Sequence, residues 1–336
     1  MKLSASIKKN IIKTVVGGVT NVSSGTSRRY TLFFEDILAF YVKECENKGY
    51  PFYDLDKDWM KLVMSKHFSG VISKLPLEIF LNDFMSEMWS GLGLMDEFNF
   101  SRNGDEISIK TRNEGVTRII GPNNGMLGFY AGILEVLYNS GAQPLSSQQS
   151  RNQCTYLYKL KGETKLLESK TKEQYNKLNK IPENRGFNLK QALKRDIFTL
   201  TENNKIFFRG KFLCPIENTI FHLIGQKKIM LEGIPEISFN YFNGLVDNDS
   251  SLEDKLRLLK TLLQVMGWGL LSISLDNDGV VVNIYYPPYG MQKEQDNWLF
   301  LSKTIQGFLW LHDRSYAVKE VISDKNRVSF TYVLNG

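Results

Sequence analysis

The hydrophobic pattern changes period along the chain, and each change marks an element. From Leu32 to Glu46, Phe33, Ile37, Phe40 and Tyr41 fall near one helical face, with Thr31 placed to cap the start, and Gly49-Tyr50-Pro51 stops the run. Two further helices are predicted over 57–67 and 77–89, the latter from Leu77, Leu81, Phe84 and Met88. The period then shortens to two. Leu94 to Ser101 and Glu106 to Thr111 flank Arg102-Asn103-Gly104, which reads as a hairpin. An apolar helix follows over 125–139, then a loop around Gly141 to Pro144 and a strand from Cys154 to Leu160.

The second half runs in a similar order. Ile206 to Leu213 reads as a strand or extended lead-in, and Ile216 to Gly225 as a helix with Pro215 at its start. Leu252, Leu256, Leu259, Leu263 and Met266 form a helical stripe behind the N-caps Ser250 and Ser251. A hairpin (Leu270 to Leu275, Val280 to Tyr286) turns at Asp276-Asn277-Asp278-Gly279, and it precedes a helix over 298–312 and strands over 317–322 and 327–334.

These halves echo each other in detail. Gly91-Leu92-Gly93-Leu94 matches Gly267-Trp268-Gly269-Leu270, and the apolar helices both contain a glycine, Gly132 or Gly307. The final strands alternate as Cys154, Tyr156, Tyr158, Leu160 and as Val328, Phe330, Tyr332, Leu334. A self-match of this length predicts a duplicated α+β domain, each copy a four-stranded antiparallel sheet with packed helices. The expected segments are an N-terminal arm (1–30), a first domain (31–161), a basic connector (162–204) and a second domain (205–336).

A chain of 336 residues, 42% apolar and 23% charged, suits two ordinary globular domains. Its net charge of +6 is concentrated between Lys159 and Arg195, where eleven basic residues face four acids. That segment is compatible with an acidic partner or peripheral membrane contact, and it reads most simply as a solvated linker. Nucleic acid is disfavoured because aromatic residues that could stack on a base, Tyr175 among them, are few there. Three scattered cysteines fit neither a disulfide framework nor a cysteine-rich zinc site and suit a reducing, cytoplasmic setting. Lys13 interrupts the apolar run after Lys8 and Lys9, which argues against a cleaved signal, and no run approaches the roughly 20 apolar residues of a membrane span.

With Gly91, Gly93, Leu127, Gly128, Gly132, Ile133, Leu134 and Cys154-Thr155-Tyr156 in the first copy, the chain resembles the 4-vinyl-reductase-type small-molecule-sensing domain. That domain shares a superfamily with the core subunits of the TRAPP tethering complex. The second copy carries the likeness in Gly267, Gly269, Gly307, Phe308, Leu309 and Val328 to Phe330. The resemblance implies pairing of such domains, here as a pseudo-twofold intramolecular dimer, and binding of a small molecule or of protein partners. It also implies zinc in many members, but Pro144 and Ser147 stand where two of the ligands would be, so no metal is expected.

No nucleophile, base and orienting group can be assembled, so an enzyme is not expected. Gly132 and Gly307 each cost a helix about 1 kcal/mol relative to alanine, which points to close packing or to room for a ligand or partner helix. The expected function is a non-enzymatic sensor or adaptor whose first domain holds an apolar small molecule or acyl chain. The candidate binding residues are Phe129, Tyr130, Ile133, Tyr138, Cys154 and Tyr156, since such pockets have apolar and aromatic walls. A ligand-free TRAPP-like scaffold is the alternative, and a haem-based sensor, using one of His67, His222 and His312, is the second alternative. No cofactor is assigned.

Overall fold

The computed structural model describes residues 31–50, 52–67, 76–164, 189–201, 205–247, 249–276, 279–288, 298–324 and 326–335. The predicted N-terminal arm and most of the basic connector lie outside them. The described chain is α+β, with three four-stranded antiparallel sheets and several helices. It divides into two compact units.

The first unit comprises the described residues of Leu38–Lys170 together with 201 and 205. Its sheet is built from β2 (Glu97–Asn103), β3 (Glu106–Arg112), β4 (Ala142–Gln149) and β5 (Gln153–Leu160), in the order β2-β3-β5-β4. Alternation sets its faces. Phe98, Phe100, Ile107, Ile109, Cys154, Tyr156 and Tyr158 turn inward, whereas Glu97, Glu106, Lys110 and Lys159 are exposed. Where the sequence predicts a loop around Gly141 to Pro144, the structure has the start of the nearly all-polar strand β4. It forms at the sheet edge by pairing with β5, and Ala142 is its one buried residue.

The helices of this unit are α1 (Glu35–Asn47, from Leu38), α2 (Phe52–His67), α3 (Leu77–Ile79), α4 (Ser86–Leu92), α5 (Gly115–Ile120) and α6 (Gly125–Tyr138), with a π-helical stretch at Phe80–Met85. Helix α6 is the predicted glycine helix and packs against α2. A Cβ on Gly128 would strike the carbonyl of Tyr53, and one on Gly132 the carbonyl of Lys57. Those glycines therefore permit a backbone-to-backbone approach that any side chain would prevent.

The second unit contains β1 (Thr31–Phe34) and the described residues of 171–200 and 206–336. Its larger sheet joins β9 (Leu270–Asp276), β10 (Gly279–Tyr285), β11 (Tyr316–Ser323) and β12 (Arg327–Leu334) in the order β9-β10-β12-β11. Its helices are α7 (Leu189–Lys194), α8 (Thr219–Lys227), α9 (Ile234–Asn243), α10 (Leu252–Val265) and α11 (Leu299–Leu309). Ser251 caps α10 by accepting from the Asp254 N–H at 3.2 Å, as its sequence predicts. Gly307 of α11 lies over the Pro235 carbonyl of α9, the relation Gly132 has to α2.

A third sheet, also in the second unit, corrects two sequence expectations. It joins β1 to β6 (Phe198–Leu200), β7 (Ile206–Phe208) and β8 (Lys211–Ile216) in the order β1-β8-β7-β6. Thr31 to Phe34 are strand rather than the cap and first turn of a helix, and all four are buried. Pro215 lies inside β8 rather than opening a helix, opposite Leu32 at a point where β7 no longer pairs. A residue without an N–H is tolerated there because the ladder is one-sided. The Phe33 ring sits 4.8 Å from Phe221 and 5.8 Å from Phe300, so this strand supplies part of the unit's aromatic core.

Candidate functional site

Behind the inner face of the first unit's sheet lies a buried carboxylate. Glu114 follows Asn113, which takes a left-handed conformation (φ 52°), and immediately precedes α5. Only 1% of Glu114 is exposed. Four hydroxyls donate to it, two per oxygen. Thr111 (2.7 Å) and Tyr130 (2.9 Å) donate to Oε2, and Thr117 (2.8 Å) and Tyr156 donate to Oε1. A carboxylate has about four lone-pair sites, so this set fills them.

Each donor is placed by an element the sequence specifies. Thr111 lies on β3 opposite Cys154 of β5, and Ile109 lies opposite Tyr156, so Thr111 and Tyr156 emerge on the inner face two residues apart in register. Tyr130 comes from the first half of α6 and its ring centroid is 5.0 Å from that of Tyr156. Thr117 lies one turn beyond Glu114 on α5 and accepts from Asn123 Nδ2 at 2.9 Å. Asn123 belongs to the Gly121-Pro122-Asn123-Asn124-Gly125 segment. Its Oδ1 accepts from the Met126 N–H at 3.0 Å, so this loop opens α6 and supports the carboxylate centre together.

The electrostatics follow from burial beside a negative charge. Burial, then the charge of Glu114, pushes the phenols of Tyr130 and Tyr156 far above their ordinary range. The same two causes raise the Cys154 thiol to about 11. These groups are therefore held protonated, as hydrogen-bond donors rather than nucleophiles.

Of the residues singled out from sequence, Phe129, Tyr130, Ile133, Cys154 and Tyr156 all enter this core. Phe129 packs its ring 5.3 Å from Tyr130 and 5.9 Å from Trp59, and Trp89 closes the cluster at 5.8 Å. Tyr138 packs against the edge of this core, half-buried at the end of α6 under the Arg102 guanidinium, 4.7 Å from its ring centre. Sequence reading missed Glu114 because it lies in a polar connection. The available signal was Thr111-x-x-Glu114-x-x-Thr117, a hydroxyl three positions to either side of an acid. Among the described residues, no group of three or more histidine, cysteine or acidic side chains is placed to hold a metal.

The second unit lacks this centre at equivalent positions. Ile284 and Val328 pair in its sheet where Thr111 and Cys154 pair in the first, and Val282 and Phe330 replace Ile109 and Tyr156. Two residues before the packed helical glycine stands Ile305 in place of Tyr130. All of these are buried, so apolar side chains fill those positions in the second unit. One polar contact is kept in both. The Tyr158 hydroxyl donates to Leu127 O at 2.8 Å, and the Tyr332 hydroxyl to Ser302 O at 3.0 Å, each acceptor five residues before the glycine.

His222 is buried beside Trp298 in the second unit, and burial lowers its imidazole to about 3, so it stays neutral. No protein-family model, curated protein or solved structure matches the chain.

Proposed function

We propose that this protein is a non-enzymatic sensor or adaptor formed from two diverged copies of one α+β domain. The first copy holds an apolar small molecule or acyl chain against Phe129, Tyr130, Ile133 and Tyr156, and Glu114 fixes the two tyrosines of that wall through their hydroxyls. The carrying observation is the asymmetry of the two cores. A buried carboxylate is costly even when hydrogen-bonded. The second unit closes with Ile284, Ile305, Val328 and Phe330 at equivalent places, so this architecture does not require the polar version. Duplication is supported by the shared strand order, the glycine contacts and the common tyrosine-to-helix hydrogen bond.

The acceptor sites of Glu114 are filled by the protein's own hydroxyls, so it shapes the site by fixing Tyr130 and Tyr156, and its negative charge repels a free fatty-acid carboxylate. The rings of the core touch one another, so entry displaces one of them. Phe129, on the outer side of the cluster at 8% exposure, is the candidate. The test is extraction of purified protein with organic solvent, followed by mass spectrometry. Support is a reproducible apolar molecule at fixed stoichiometry that is depleted in Glu114→Gln.

A second reading, the ligand-free TRAPP-like scaffold, draws on that same ring packing, since a core already filled needs no guest. Protein with nothing extractable, and with unchanged binding to its protein partners in Glu114→Gln, would favour it.

A further inference from the structure

The start of α6 carries a second acidic arrangement, distinct from the Glu114 centre. Glu46, near the end of α1, accepts from the backbone N–H groups of Asn124 and Gly125. With Asn123 Oδ1 on the Met126 N–H, these contacts cover the opening turn of the helix. Asp56 of α2 points into the same place. It is 8% exposed. Its Oδ2 lies 2.8 Å from the position a Cβ on residue 125 would take, so the carboxyl is seated on the bare backbone of Gly125.

The surroundings of Asp56 decide what occupies this place. From α1 it faces Glu46. From α6 it faces Asn123, Asn124 and Gly125, and the first turn of that helix has no ionisable side chain. On its own helix the Phe52 ring abuts Gly125, while Lys57 is engaged with Asp54 at 3.3 Å. A metal cation is disfavoured at the positive end of a 14-residue helix. Of these two neighbouring carboxyl groups Asp56 is buried and Glu46 half-buried, and each disfavours ionisation of the other. The group that receives two N–H donors keeps the charge, and the other keeps the proton.

We infer that Glu46 and Asp56 form a one-proton latch between α2 and the start of α6, with the proton on Asp56, and that its loss loosens α6 from α2. Burial and then the charge of Glu46 act in that direction, raising Asp56 well above the ordinary carboxyl range. Loss of the proton would place a second negative charge against Gly125, at the contact that Gly128 and Gly132 continue along α2. The effect also reaches the Glu114 centre, because Asn123 bonds both Met126 N and Thr117 Oγ1. The latch does not depend on whether that centre binds a ligand.

A carboxyl raised in the folded state stabilises below its unfolded value, about 3.9, and that stabilisation is lost as pH rises through the folded value. Asp56→Asn cannot lose a proton. Thermal unfolding of wild type and Asp56→Asn from pH 5 to pH 9, without added metal, should show a Tm difference that shifts by several degrees in favour of the variant with rising pH. Hydrogen exchange at Asn124 to Gly128, corrected for intrinsic rates, should accelerate at high pH in wild type and not in the variant. A constant Tm difference with parallel exchange profiles would overturn the latch. If Asp56→Asn does not fold, carbon NMR of the wild-type aspartate carboxyls decides the matter. One of them titrating well above the ordinary range is expected, and all of them titrating within it would refute the proposal.

Discussion

Tyr156 and Phe330, at the same register of their sheets, differ by one hydroxyl, and in the first unit that hydroxyl is one of the four donors to Glu114. Tyr156→Phe should cost about 1–3 kcal/mol in urea denaturation, because it strips one donor from a buried carboxylate. In a Glu114→Gln background the same change should cost measurably less, a coupling of about 0.5–3 kcal/mol. Additive costs would mean the two groups do not depend on each other. Cys154 gives a pH test. With its thiol raised to about 11, the folded state keeps a proton that the unfolded chain loses near pH 8.5, so its contribution falls as pH rises from about 8.5 to 11. Cys154→Ala should flatten the alkaline limb of the stability profile in that window. An unchanged limb would show that the thiol is not the titrating group.

At the scale of elements, the helical glycines were legible as a feature and ambiguous in meaning. Gly132 and Gly307 suggested either close packing or space for a ligand or partner helix, and the structure places the backbone of α2 or α9 against each. Gly128→Ala and Gly132→Ala should therefore each destabilise by about 3 kcal/mol or more, since the obstacle is a backbone carbonyl that cannot rotate away. Gly244→Ala, with nothing within 4 Å, should stay within about 0.5 kcal/mol in the same assay. The two main hairpins were readable because Phe98, Phe100, Ile107 and Ile109 alternate cleanly around a turn at Gly104, and Val280, Val282 and Ile284 follow Gly279. The third sheet was not. Its strands are three to six residues long, too short to show a period, β1 is buried throughout, and the pairing of β1 with β8 joins residues about 180 positions apart in sequence. The polar β4 was hidden for the opposite reason, since an edge strand facing solvent has almost no apolar signature.

For the whole molecule, the proposed duplication with divergence joins these observations. One unit's core holds Glu114 and four hydroxyls, and the same register positions of the other carry Val282, Ile284, Val328 and Phe330. The two should also respond differently to pH. His222 in the second unit is held neutral by burial down to about 3, whereas the unfolded imidazole protonates near 6.5. The sign is fixed by that difference: stability is lost as pH falls from about 6.5 toward 3. His222→Gln should weaken that acid dependence, followed by the pH dependence of the denaturation midpoint, and an unaltered acid limb would contradict the assignment. The most direct measurement is native mass spectrometry of the intact protein and of Glu114→Gln, each followed by denaturation and solvent extraction. The account predicts one equivalent of an apolar molecule on wild type and its depletion in the variant. Wild-type protein at its bare polypeptide mass, with nothing extracted, would contradict it.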